Sequence, residues 1–219
     1  MKNENIIGAA GIAGTTAERG SGTPAERAGL CGIVGGMLWF LSGILGIVFP
    51  QLNEPGSPAF LVGGVVATAS LAMLLVGFLG VAWDGALGGR IGKTLFGAAI
   101  LGYALMVVGG VQTVAGVGPL IDAEAGVALL YLLGRLISAV FALLTGVAVL
   151  AARRWRGWAA FTPLLVGLCP LVGELGSVIL FGQPNQLLNA TWGIFGALLG
   201  YAVLSRGCNR GGTSTEGRS

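Results

Sequence analysis

Six long apolar segments, separated by short polar links, dominate the hydrophobic pattern of this chain. Each is close to the ~20 residues that cross a hydrocarbon core of roughly 30 Å. Their apolar positions run continuously, whereas barrel strands alternate apolar and polar residues over about ten positions, so the pattern predicts helices. The predicted fold is all-α, a polytopic membrane protein folded as a six-transmembrane-helix bundle. The segments cover residues 29–49, 59–82, 95–118, 127–151, 160–181 and 186–205.

Polar ends flank this predicted transmembrane domain of residues 29–205. Residues 1–28 are rich in Gly, Ala, Thr and Glu and lack the apolar run of 7–15 residues that a secretory signal needs. They predict a disordered, uncleaved cytoplasmic tail. Residues 206–219 are polar and rich in Gly and Ser, and they predict a second disordered cytoplasmic tail.

Composition supports a membrane setting and argues against an enzyme. Hydrophobic residues make up 54% of the 219 positions and charged residues only 10%, against about 25% charged in soluble domains. The absence of histidine removes the commonest general base and metal ligand. The spacing of Cys31, Cys169 and Cys208 fits no metal or redox motif. We therefore expect no enzymatic activity, no cofactor and no metal.

The basic residues indicate how the helices are threaded through the membrane. Eleven of the twelve fall on one side of a six-span arrangement. The charged residues in the links on the other side are all acidic. The positive-inside rule then places both termini in the cytoplasm, most simply at a plasma membrane. The inner face would attract anionic lipid head groups rather than nucleic acid. The eleven are Lys2, Arg19, Arg27, Arg90, Lys93, Arg153, Arg154, Arg156, Arg206, Arg210 and Arg218.

Small residues form stripes along several of the predicted helices, among 41 glycines in the chain. In a membrane, small residues allow helices to approach closely. The favoured interpretation is packing within one bundle, and the alternative is docking of a second copy or of another membrane protein. The stripes comprise Gly32 and Gly36; Gly63, Ala67 and Ser70; Gly102, Gly109, Thr113 and Gly116; and Asn189, Gly193, Gly196 and Gly200.

Two charged residues lie inside the segments, Arg135 in the fourth and Glu174 in the fifth. At a rise of 1.5 Å per residue they lie roughly 12 and 10 Å from the outer ends of their segments, and therefore level with each other. An unpaired charge in hydrocarbon costs at least about 2.5–3.5 kcal/mol. Because consecutive helices usually pack as neighbours, we expect a salt bridge with an N–O distance of about 4 Å or less.

Further polar side chains lie on neighbouring segments toward the same outer side. They predict a polar pocket that opens outward around Arg135 and Glu174. Pro170 adds a further polar group to this pocket, because its missing amide leaves the carbonyl of Val166 without its helical hydrogen-bond donor. The bridge could instead serve only to fix the register of two helices, and that structural interpretation is favoured. The pocket residues are Gln112, Thr113, Tyr131, Ser138, Ser177 and Asn189.

Two classes of function remain open. The first is a non-catalytic scaffold, assembly or regulatory protein that acts through its Gly-rich faces. The second is a small transporter or channel that uses the polar pocket for a solute, an ion or a proton step. The scaffold class is favoured because it requires no binding or catalytic site.

Overall fold

The computed structural model describes residues 22–54, 57–115, 123–182 and 185–212, and the elements within these ranges are helices and turns. Six of the described helices are long and apolar enough to span a membrane, which confirms the all-helical prediction. The fifth of these, Gly157–Leu180, is made of several helical pieces: a 3₁₀ turn at Gly157–Phe161, an α-helix, a π-helical turn at Leu171–Leu175 and a second α-helix. The two α-helical pieces have separate labels below. The helices are α1 Pro24–Val48, α2 Pro58–Trp83, α3 Gly89–Ala115, α4 Ala123–Ala152, α5 Thr162–Pro170, α6 Gly176–Phe181 and α7 Gln186–Gly212.

The first helix starts within the stretch that was predicted to be disordered. The Thr23 hydroxyl accepts a hydrogen bond from the Glu26 amide at 3.3 Å, and the Glu26 carboxylate accepts one from the Thr23 amide at 2.9 Å. This reciprocal capping box, with Pro24 at the first helical position, satisfies two of the free amides at the start of the helix. The described α1 therefore begins five residues before the predicted span at residue 29.

The last helix likewise runs past its predicted end at residue 205, because α7 continues to Gly212. No proline interrupts residues 206–212, and Arg206 is anchored to a buried aspartate of another helix. The described α7 is therefore seven residues longer at its C-terminal end than the predicted span. The parts of the two tail predictions at residues 1–21 and 213–219 lie outside the described residues, as does the predicted end of the third helix at 116–118.

The helices form a closed ring in which each packs on its neighbours in the chain. α1 packs on α2, α2 on α3, α3 on α4 and α4 on α5. The ring closes through α7, which packs along α1 in the most extensive interface and also contacts α5. We name the end with the α2–α3 and α4–α5 links the basic end, and the end with the α1–α2 and α6–α7 links the opposite end.

Glycine backbones make the closest contacts between the helices. A Cβ atom at Gly36 of α1 would collide with the Ala197 amide and the Gly193 carbonyl of α7. In the α3–α4 interface, a Cβ atom at Gly102 would lie against the amide of Ser138. The predicted small faces at these positions therefore pack within one bundle. Gly63 is an exception, because the nearest atom to its Cβ position is a Leu52 methyl at 3.7 Å.

The outer surface of the bundle is strongly apolar. Ile179 and Leu180 of α6 are 81% and 75% exposed, and Leu132 of α4 is 64% exposed. Several polar side chains are instead enclosed, including Arg135 and Ser177. An apolar belt of this extent greatly exceeds the isolated apolar residues of ordinary soluble surfaces.

Candidate functional site

Arg135 projects from α4 into the bundle and is only 6% exposed. Its Nη2 atom donates a hydrogen bond of 2.6 Å to Oδ1 of Asn189 on α7. Its Nη1 atom donates a longer one of 3.3 Å to the Tyr131 hydroxyl, one helical turn earlier on α4. The guanidinium also lies over the Trp192 ring, with Cζ 5.3 Å from the ring centroid. These contacts link α4 to α7, which are not consecutive in the chain.

Two indole rings hold this polar cluster in position. Trp39 of α1 packs edge-on against Trp192 at 5.3 Å between ring centroids. The Trp39 indole donates to the Asn189 carbonyl at 3.2 Å. The Trp192 indole donates to the Val166 carbonyl at 3.0 Å, which confirms that Pro170 leaves this carbonyl open to another donor. Neither tryptophan was predicted as part of the site, because within an apolar segment each resembles an ordinary core residue.

Glu174 lies in the π-helical turn at Leu171–Leu175, directly after α5. Its side chain lies outside the described atoms, so the predicted salt bridge to Arg135 stays a prediction. Ser177, one turn further, is buried, and its hydroxyl accepts a hydrogen bond from the Asn185 amide at 3.1 Å. Ser177 therefore holds Asn185, the residue that directly precedes α7.

The remaining predicted pocket residues lie around this cluster in different roles. The Ser138 hydroxyl donates to the Arg135 carbonyl at 2.9 Å, so it contacts the backbone rather than the guanidinium. Gln112 is half-buried, and its Oε1 atom is enclosed without a hydrogen bond from the described residues. Thr113 is exposed and donates to the Gly109 carbonyl of its own helix at 2.9 Å.

A polar cleft of about 160 Å³ lies on the other side of Asn189, between α1, α2 and α7. Trp39, Ser42, Gln186 and Asn189 line it. This volume is below the roughly 300–1,000 Å³ of typical small-molecule sites. The cleft contacts Asn189, and Asn189 in turn binds Arg135.

A second polar cluster lies at the basic end, where the sequence analysis placed no site. Asp84, directly after α2, is 2% exposed. Its Oδ2 atom accepts hydrogen bonds from the Trp155 indole at 2.6 Å and from Arg206 Nε at 3.1 Å. Arg206 also donates to the Arg154 carbonyl at 3.1 Å, and Arg154 donates to the Gly85 carbonyl at 2.8 Å. One carboxylate thereby joins two links and α7.

The chemistry of these clusters is that of hydrogen bonding and charge, without a set of metal ligands. Within the described ranges, no three His, Cys, Asp or Glu residues lie close enough together to hold a metal ion. No family model, no curated protein and no solved structure matches this chain. The proposals below therefore depend on the physical features of the structure.

Replacing Asn189 with alanine is expected to lower the free energy of unfolding by about 1–3 kcal/mol, because Arg135 loses a short hydrogen bond in a buried setting. Denaturant titration of the purified protein in detergent measures this. The control is Gln186→Ala, which removes an exposed amide from the same helix and should change stability by less than about 0.5 kcal/mol. Equal effects of the two substitutions would show that the Arg135–Asn189 bond contributes nothing.

Proposed function

We propose that this chain is a multi-pass membrane protein whose six apolar helices cross the bilayer. The support is the length and hydropathy of the helices, together with the apolar belt around them. In lipid, backbone polar groups must be satisfied within the protein, which helices achieve. The segregation of basic residues supports a position of both termini in the cytoplasm, at the plasma membrane.

Within that membrane, the function supported best is that of a non-catalytic scaffold, assembly or regulatory protein. The observation that carries this proposal is the enclosure of Arg135. Its guanidinium is 6% exposed and contacts Asn189, Tyr131 and Trp192. A solute-binding arginine would need to reach water in at least one state. Here the charged group instead joins two helices.

One observation favours a transporter or channel as a second candidate. The fifth span changes from α-helix to a π-helical turn at Leu171–Leu175, directly after Pro170, and this turn contacts both α4 and α7. Single π-helical turns occur frequently at functional sites. Interrupted helices also form the binding sites of many transporters. The turn thus contacts the two helices that Arg135 joins, so movement there would expose the Arg135 cluster.

Water access to the interior distinguishes the two candidates. Single cysteines at Gln112 and Ser138, in a variant without Cys31, Cys169 and Cys208, are treated with a membrane-impermeant thiol reagent on intact cells. The scaffold proposal expects no labelling at either position, because Ser138 is buried and the Arg135 cluster fills the interior. Labelling of both from outside would instead favour the transporter.

Two exposed positions serve as controls and also test the topology. A cysteine at Gln51, in the α1–α2 link, should react on intact cells. A cysteine at Thr94, near the start of α3, should react only after the membrane is made permeable. The reverse pattern would overturn the proposed orientation, and reaction of both on intact cells would overturn the span count.

A further inference from the structure

An apolar groove of about 410 Å³ runs between α1 and α2 at the opposite end of the bundle. Its walls come from Leu41 and Leu45 of α1 and from Phe60 and Val66 of α2. The missing side chain at Gly63 leaves its floor open, since the Cβ position there meets no atom closer than 3.7 Å. The groove therefore has room for a slender apolar group.

The groove is continuous with the polar cleft next to Asn189. Ser42, Gly46 and Ala67 line both spaces. On the polar side, the cleft is bordered by the exposed Gln186 side chain at the start of α7 and by Asn189 one turn further. The combined site is thus amphipathic, with a hydrogen-bonding side toward α7 and an apolar side between α1 and α2.

Asn189 lines this site and keeps amide donors beyond the bond that it accepts from Arg135. Its Oδ1 atom accepts from Arg135, and Nδ2 is the other end of the same planar group. Among the described residues, Nδ2 makes no hydrogen bond, and the Ser42 hydroxyl makes none either. Both groups border the cleft, so a ligand with acceptor oxygens would satisfy them.

The length of the groove matches one leaflet of a bilayer. Leu38, its innermost residue on α1, lies ten positions before the helix end at Val48, or roughly 15 Å along the axis. That distance is about half of a hydrocarbon core of roughly 30 Å. Gln186 and Asn189 lie within roughly 5 Å of the start of α7, at the depth of lipid ester and head groups.

We propose that this site binds a phospholipid of the surrounding leaflet. One acyl chain lies in the groove between α1 and α2, and the ester or phosphate oxygens accept hydrogen bonds from Asn189, Ser42 and Gln186. A lipid fits better than an apolar partner helix, because the helix would leave the polar side without acceptors. The proposal rests on the membrane placement given above.

A photoactivatable lipid tests the site directly. The full-length protein is reconstituted in phosphatidylcholine bilayers that contain a trace of phosphatidylcholine with a diazirine on one acyl chain, and the cross-linked peptides are mapped after illumination. We expect cross-links at Leu41 and Val66 in clear excess over those at Ile179 and Leu180, which face the same bilayer on α6. Labelling of α6 shows that the protein is inserted, so absence of all labelling would contradict the membrane placement itself.

A substitution that fills the groove separates a built site from ordinary surrounding lipid. Gly63→Leu places a side chain in the groove, and the excess labelling should fall to the level of α6. The matched control, Gly97→Leu on α3, adds the same side chain where nothing lies within 4 Å of the Cβ position, and the excess should persist. Uniform labelling of all apolar faces, or an excess that Gly63→Leu does not change, overturns the proposal. Protection of Leu41 and Val66 from labelling, while Ile179 and Leu180 are labelled, also overturns it, because a protein then covers the groove.

Discussion

A single methyl group added at Gly36 is expected to lower the free energy of unfolding by about 3 kcal/mol, the upper end of typical overpacking costs. The new Cβ atom would collide with backbone atoms of Gly193 and Ala197 rather than with a flexible side chain. Only a separation of α1 from α7 relieves the collision, and this is the interface that closes the ring. Gly36→Leu should therefore prevent accumulation of the folded bundle.

The matched control, Gly97→Ala, should not lower the free energy of unfolding. Gly97 also lies within a helix, but its Cβ position is open. Gly97→Ala should be neutral or stabilising by up to about 1 kcal/mol, because alanine loses less backbone entropy than glycine in a helix. Denaturant titration of both variants in detergent measures the difference. If Gly36→Ala were as stable as Gly97→Ala, the close α1–α7 contact would not exist.

The sequence predicted the six long apolar helices well because each segment can be judged from its own hydrophobic pattern. A helix of continuous apolar residues requires no knowledge of its neighbours. The ends were harder to predict. The Thr23–Glu26 capping box is a local signal in Thr-Pro-Ala-Glu, and attention to it would have placed the start of α1 correctly. The end of α7 depends on Arg206, which contacts a distant aspartate.

The Arg135 site could be predicted in part, because some of its features depend only on residues that are close together in the sequence. Tyr131 lies one turn from Arg135 on a single helix face, and the open carbonyl of Val166 follows directly from Pro170. The contact between α4 and α7 is different, because it depends on how α7 completes the ring by packing on α1 and α5. No pattern within the chain indicates that Trp192 stacks on Arg135 or that Asn189 accepts its hydrogen bond.

The Asp84 cluster escaped the sequence analysis because its partners are 71 and 122 positions away. A residue directly after an apolar helix is ordinarily at the water interface, so the local sequence gives no reason to expect that Asp84 is buried. One signal was present, since Asp84 is the only acid in the links at the basic end. A lone acid among many arginines is well placed to form an ion pair.

Arg206→Ala is expected to be more damaging than Asp84→Ala, although the two residues form one ion pair. Removal of Arg206 leaves the Asp84 carboxylate, 1% exposed, without its cation, and breaking a buried pair in this way costs about 3–5 kcal/mol. Removal of Asp84 leaves an arginine that is 25% exposed and therefore still solvated, so we expect a loss near the lower end, about 3 kcal/mol. The double variant should resemble Asp84→Ala, because it contains no buried, uncompensated charge.

Denaturant titration of the three variants in detergent measures these differences, with Arg156→Ala as the control. Arg156 is an exposed arginine at the same end of the bundle, and its loss should change stability by less than about 0.5 kcal/mol. A larger loss of stability for Arg206→Ala than for Asp84→Ala would show that the ion pair lies inside the protein and not at its surface. Equal and small effects of Arg206→Ala and Arg156→Ala would show that the Asp84 carboxylate is hydrated, and that it does not hold the two links and α7 together at the basic end.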